Sequence, residues 1–449
     1  MEENNNYFGR KFFTIALILL SIGLLGGVFS AIVYVSPEFL KSHFGLVKLR
    51  PIHVSSAMFW IIMGATACVF SGLSYLSKVK PKKGIVQLQI SLWIVAFIGI
   101  YYSYIVGDFG GREYWEFNPI WALPILISWF LFLVNFIHMA KTIKKWPVYV
   151  WMWMTGIIFF TFIFIENYLW IIPYFREDFV HDMTIQWKVN GSLVGSINQM
   201  IYGTAFFLMD RINKDEKSKV GFSKLAFAMY FLGLANLMFN WGHHIYTLPT
   251  DYYVRFVAYA VSMTEWIFFI KIIYNWRKSV KDINKNYHFF PYRFLMAADF
   301  WVFINMGQAI IMSIPVFNVF THGTHVTVAH SMGTTIGINS MIIFAAAFMF
   351  LTPKKNLGQK PSKLLNITFW TTQIGLFILF TSLNIAGILK GIWQHQEQQS
   401  SFGKMMESLQ PYFVILLISG IVLLFAFSVL ISTLFKYLSQ NKPIHEKGN

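Results

Sequence analysis

The chain has 449 residues and a formal net charge of +16, and 56% of its residues are hydrophobic, 19% aromatic and 12% charged. A water-soluble domain cannot bury that much apolar surface, so composition excludes a soluble enzyme and places the protein in a lipid bilayer. The positive balance lies in short loops between apolar runs, so it reports topology and not nucleic-acid binding.

Taken in chain order, the first apolar run, 12–36, is too long for the h-region of a cleaved leader, and no A-x-A site follows it. It is expected to stay as a helix. Eleven more runs of about the length that crosses a bilayer follow at 52–77, 86–107, 119–140, 147–173, 186–209, 222–247, 252–275, 294–318, 327–352, 364–390 and 411–435. The expectation is an all-α, polytopic membrane protein with twelve transmembrane helices forming one unit over residues 1–449. Loops after even-numbered spans carry most of the Lys and Arg, such as Lys78, Lys141, Arg211, Arg277 and Lys354, whereas those after odd spans carry far fewer. Both termini should therefore be cytoplasmic. The single cysteine, Cys68, lies inside an apolar span, so no intrachain disulfide forms.

With that topology seven of the twelve histidines fall near the outer ends of spans: His53, His181, His243, His244, His322, His325 and His330. Ligating side chains at membrane depth are costly unless something pairs with them, so their gathering marks a site. Residues i and i+2 of an α-helix point about 200° apart. In "VAHSMG", His330 and Met332 therefore face opposite sides, and both are ligand types for haem iron. Such a helix can stand between two haems, with His53 as the second axial ligand of one. Met332 is otherwise a gap-filling core residue. The adjacent imidazoles of "GHHIYTLP", His243 and His244, suit a nearby non-haem metal.

These segments, in this order, resemble the haem-copper oxidase superfamily, and within it the large subunit of the cytochrome c-dependent nitric oxide reductases. "LRPIHVSSAMFW" is similar to the segment bearing a low-spin haem ligand, here His53. "NWGHHIYTLP" resembles the motif with two non-haem iron ligands, His243 and His244, and "THGTHVTVAHSMGTT" the segment whose His330 is the proximal ligand of the high-spin haem. "GGREYWEFNP" looks like the loop whose glutamate, here Glu116, helps bind calcium between haem propionates and a small subunit. "SMTEWIFF" offers Glu265 as an acid that relays protons. The resemblance implies the subunit I fold, two haem b groups, a non-haem iron, a calcium ion and a membrane-anchored cytochrome c partner. It also implies a bacterial inner membrane with the haem and metal sites toward the periplasm. His322 and His325 are expected at the haem propionates.

Two departures from the family pattern stand out. Where span 6 of the family reads roughly W-x-V-H-x-x-x-E, this chain reads "WKVNGSLV", so Asn190 takes the histidine position and Val194, which cannot ligate, the glutamate position. Met332 stands where the second histidine of H-x-H belongs, which implies His53/Met332 coordination of the low-spin haem. The implied activity is reduction of nitric oxide to N2O, as in denitrification. Three other functions compete with it: dismutation of NO to N2 and O2, NO binding without turnover, and, outside redox chemistry, secondary transport. An oxygen reductase of the best-known type would carry a tyrosine at Val194.

Overall fold

The computed structural model describes residues 7–440 apart from 214, 216–218, 263, 265 and 360. Its long helices are α1 (Tyr7–Val35), α2 (Leu46–Leu76), α3 (Lys83–Val106), α4 (Ala122–Ala140), α5 (Val148–Glu166), α6 (Phe179–Ile212) and α7 (Lys224–Phe239). They continue with α8 (Tyr252–Ser262), α9 (Trp266–Ser279), α10 (Phe289–Ser313), α11 (His325–Met332), α12 (Met341–Leu351), α13 (Lys363–Gln394) and α14 (Phe402–Gln440). A π-helical segment, Gly333–Ser340, joins α11 to α12.

Among the described residues ten helices, not twelve, are long and apolar enough to cross a membrane. The expected spans at 186–209 and 252–275 account for the difference. The first lies within α6, which is long enough, but its polar N-terminal turns and side chains such as Asn190, Ser192, Ser196 and Gln199 lower its hydropathy. Helix α6 starts seven residues earlier than hydropathy indicates, where the Asp178 carboxylate accepts the His181 N–H at 2.8 Å and caps it. The second expected span corresponds to two shorter helices, α8 and α9.

Helix α1 packs along α2, α3 along α4, α5 along α6 and α13 along both α14 and α11. Burial separates centre from rim. The apolar window of α2 is 83% buried and that of the span 325–351 is 72%, against 33% for α3 and α14. The latter turn Ile98 and Phe425 outward, as helices bathed in lipid do. Hydrogen bonds then fix the centre: the Trp60 indole of α2 donates to Ser340 Oγ at 2.8 Å, and the Trp301 indole of α10 to Gln373 on α13 at 3.0 Å. A buried indole N–H left without an acceptor would cost free energy, so these bonds select the register of the packed helices.

A small antiparallel hairpin, β1 (Phe109–Arg112) and β2 (Trp115–Phe117), interrupts the all-helical pattern between α3 and α4. At Gly111 the two strands approach too closely for a side chain. A Cβ on Gly111 would sit 1.4 Å from the Trp115 carbonyl, and Tyr114 adopts φ +71°. Trp115 and Phe117 point down into the core against Phe59 and Phe164, so burial of aromatic surface offsets the strained turn.

Candidate functional site

The histidine-bearing ends of the helices meet at one end of the bundle. His53, on the first turns of α2, lies against the glycines of α1: a Cβ on Gly27 would come within 2.8 Å of its ring, and one on Gly26 within 3.3 Å of its backbone. Its Nδ1–H donates to the Gly23 carbonyl at 2.7 Å. That bond fixes the tautomer and leaves Nε2 as the nitrogen with a lone pair, the arrangement that metal-ligating imidazoles share.

Helix α11 carries His325, His330 and Met332 between two sets of neighbours. Toward α1 and α14, His325 sits 6.0 Å from the Tyr34 ring and 5.2 Å from Phe413, centroid to centroid. Met332, two turns on and on the same face, packs into the hydrophobic core. Toward α6 and α7, His330 lies within electrostatic range of His243 and His244. Its main chain is held by a relay in which Asn305 Nδ2 donates to Thr334 Oγ1 at 2.7 Å and Thr334 donates to the His330 carbonyl at 3.2 Å. Immediately beyond, in the π-helical segment, the Ser340 hydroxyl takes up the Thr335 carbonyl at 2.7 Å. Single π turns inside α-helices recur at functional sites, and here one follows directly on the ligand-bearing turn.

His243 and His244 occupy a 3₁₀ turn, Asn240–Ile245, that continues α7, with ring centroids 4.2 Å apart. Trp187 of α6 stacks flat on His244, 4.8 Å away and 6° from parallel. His322 closes the group, 5.1 Å from Trp187 and 5.7 Å from His244. Helix α6 approaches this turn closely, since a Cβ on Gly191 would meet the Trp241 Cβ at 2.7 Å. Its neighbour Asn190 is buried at 4% exposure, whereas Val194, one turn along, is 36% exposed.

The polar inventory tests what these residues fit. Nδ1 of His243, His244, His325 and His330, Nε2 of His322 and both amide atoms of Asn190 are buried without a hydrogen bond among the described residues. Buried polar atoms normally find partners, so these orphans, on both faces of α11, mark positions that suit coordinated metals and bound groups. His53, with Nε2 left free by its Gly23 bond, and His330, buried without a ring partner among the described residues, have the chemistry that haem iron would take. The distal metal position fits less well: among the described residues no three His, Cys, Asp or Glu side chains come together as a ligand set. The donors expected there, two imidazoles and the Asn190 side-chain carbonyl, would make a sparse set. Glu265, expected as a proton relay, lies outside the described residues.

The two expected propionate contacts diverge, with His322 joining the imidazole pair and His325 facing Tyr34 on the His53 side. Burial holds the His322 imidazole below its ordinary pKa, so it is neutral at pH 7. Glu116, expected to bind calcium, has Oε1 in an ion pair with Arg50, and Glu113 accepts from the same guanidinium at 3.2 Å. Glu116 Oε2 is buried and has no hydrogen bond among the described residues. Burial raises the Glu116 carboxyl above its ordinary value, although Arg50 pulls the other way. The hairpin adds a contact that sequence reasoning missed: the Tyr114 hydroxyl reaches Ser331, between His330 and Met332, and burial pushes its phenol up to about 12. Trp187 and the Gly23–Gly27 stretch were missed too. Small residues in "LLGG" opposite a span-end histidine were the available signal for the latter.

Residues 7–422 match the family described as Cytochrome C and Quinol oxidase polypeptide I. Cytochrome c oxidase subunit 1 of Rhodobacter capsulatus is 21% identical over 86% of this chain and 76% of its own length. A nitric oxide reductase polypeptide of Stutzerimonas stutzeri is 22% identical over 86% of this chain and 84% of its own. A heme-copper terminal oxidase dimer solved by electron cryomicroscopy has a chain that superposes with a TM-score of 0.72 at 14% identity, covering 96% of this chain and 84% of that one.

Proposed function

The chain belongs to the cytochrome c and quinol oxidase polypeptide I family, the haem-copper oxidase subunit I superfamily, and from that membership we propose a reductase of nitric oxide. It is a multi-pass membrane oxidoreductase of a haem-binding family. On this reading it converts two NO to N2O and water, using two protons and two electrons from a membrane-anchored c-type cytochrome subunit. It sits in a bacterial inner membrane with both termini cytoplasmic and the imidazole site toward the periplasm.

One observation carries the reading. The His243 and His244 rings lie side by side within electrostatic range of His330, with Asn190 and Val194 where an oxygen reductase of the best-known type would place a histidine and a tyrosine. Two haem b groups and a distal metal, when bound, supply one-electron transfer and Lewis-acid binding of NO. His53, locked by the Gly23 carbonyl, and Met332 would hold the electron-entry haem, and His330 the second. His243, His244 and the Asn190 carbonyl would hold the distal metal. Trp187 stacked on His244 keeps that ring from turning, which positions its ligating nitrogen. Glu265 would hold the proton to be transferred, and Glu116 would serve a calcium ion with its Oε2, in competition with Arg50.

Anaerobic gas analysis with 15N-labelled NO tests the proposal. Labelled N2O at a rate set by the electron donor supports reduction. N2 together with O2 makes the protein a dismutase, and neither gas despite NO binding makes it a binding protein. Oxygen uptake without N2O makes it an oxidase, the activity named for most relatives. A reduced-minus-oxidised spectrum without b-type haem would remove every redox reading and leave secondary transport.

A further inference from the structure

At the end of the bundle away from His243, His244 and His330, a cavity of about 500 Å³ opens between segments 286–291, 352–359 and 361–365 and the last turns of α14, with His288 in its wall. Its size is that of a small-molecule site. Lys355 and Lys436 line it together with Asn356, Phe348, Leu364 and Tyr437, and the described lining contains no Asp or Glu. Neither lysine takes part in an ion pair among the described residues.

The walls are built and held. The Gly358 N–H donates to the Tyr287 carbonyl at 3.3 Å, tying the two loops together, and Gly358 supplies the left-handed turn, φ +73°, that this requires. Gln359 Nε2 donates to the Lys355 carbonyl at 2.7 Å and fixes the backbone from which Lys355 projects. Ser362 caps the 32-residue helix α13, whose positive N-terminal end opens at the rim.

Depth in the membrane names the occupant. Helices α10 and α13 begin here and α12 and α14 end here, so the cavity lies at the level of lipid headgroups. Its apolar side leads outward over Leu364, which is 60% exposed. Free phosphate or a nucleotide would gain nothing from that apolar wall, whereas a glycerophospholipid presents an anion, a polar glycerol and a chain in that order. We propose that the cavity binds one anionic phospholipid, with its phosphodiester between Lys355 and Lys436 and an acyl chain leaving along Leu364.

Native mass spectrometry of the purified full-length protein, titrated with phosphatidylglycerol or phosphatidylcholine, tests this. Expected is one retained phosphatidylglycerol that excess phosphatidylcholine does not displace. Lys355→Gln/Lys436→Gln should weaken its retention about thirtyfold, the factor expected for two lysines at a membrane surface. Lys80→Gln/Lys141→Gln, which removes two exposed cations from other loops, should leave it unchanged. Equal losses in both double variants would reduce the effect to general surface charge and overturn the site. Displacement by inorganic phosphate or glycerophosphoglycerol at matched concentration would overturn the lipid assignment in favour of a free anion. Retention of phosphatidylglycerol in Lys355→Gln/Lys436→Gln at the wild-type level would overturn it outright.

Discussion

Replacing Gly27 with alanine tests whether α1 sets the position of the His53 imidazole. The new methyl would sit 2.8 Å from Cε1 and 2.9 Å from Nδ1, where ordinary contact begins near 3.4 Å, so the ring must retreat by about 0.6 Å. Retreat along its hydrogen bond stretches the 2.7 Å separation from the Gly23 carbonyl to about 3.3 Å, beyond the normal range for N–H···O. Loss of that bond costs about 1 kcal/mol and the overpacking about 1–3 kcal/mol, so the variant should lose about 2–4 kcal/mol of stability. Freeing a ligand from its orienting partner lowers metal affinity by about 10- to 100-fold. The low-spin haem signal in reduced-minus-oxidised and electron paramagnetic resonance spectra should therefore fall or shift. Gly26→Ala is the control, because its methyl meets the His53 backbone at 3.3 Å and not the ring. It should lower the thermal midpoint and keep the low-spin signature. A Gly27→Ala protein with the wild-type low-spin spectrum would refute the assignment of His53 as a ligand oriented by α1.

His330→Ala should lower the haem-to-protein ratio from two to one in a pyridine haemochromogen assay, with the remaining haem low-spin; retention of both would show that His330 is not a ligand. Asn190→His/Val194→Glu should raise distal metal content measured by plasma mass spectrometry. The 36% exposure of Val194 leaves room for the longer side chain, so unchanged metal content would separate α6 from the metal position. Glu116 binds its proton more tightly in the fold than in the unfolded chain, so its contribution is fully present below about pH 4.5 and is lost as pH rises through the raised folded value. The thermal midpoint of the wild type relative to Glu116→Gln should accordingly decline across that window, and parallel pH profiles would contradict the burial argument.

The membrane class, most of the spans and the gathering of histidines at one end were legible, because hydropathy and the order of span ends are properties of the sequence itself. Helix α6 shows the limit. Hydropathy reports the solvent around a segment, whereas the helix runs on past the apolar part under its Asp178 cap. The hairpin depended on Gly111 and Tyr114, whose roles appear only once the Trp115 carbonyl is in place. Opposite faces for His330 and Met332 followed from helical geometry, but the partners of each face did not, since Trp187, His322 and Tyr34 arrive from elements far apart in the chain. Arg50 as the partner of Glu116 was equally hidden, as 66 residues separate them.

The π-helical stretch after Met332 also resets angular phase. Bonding to the fifth residue instead of the fourth consumes one extra residue per turn, which rotates everything downstream by roughly 100° against a continuous α-helix. Wheel diagrams drawn through residues 325–351 as one rod therefore assign wrong neighbours to one half or the other. A one-residue deletion inside Gly333–Ser340 would convert the coil to ordinary winding, and would swing His330 away from His243 or Phe344 out of the aromatic core, but could not keep both in place.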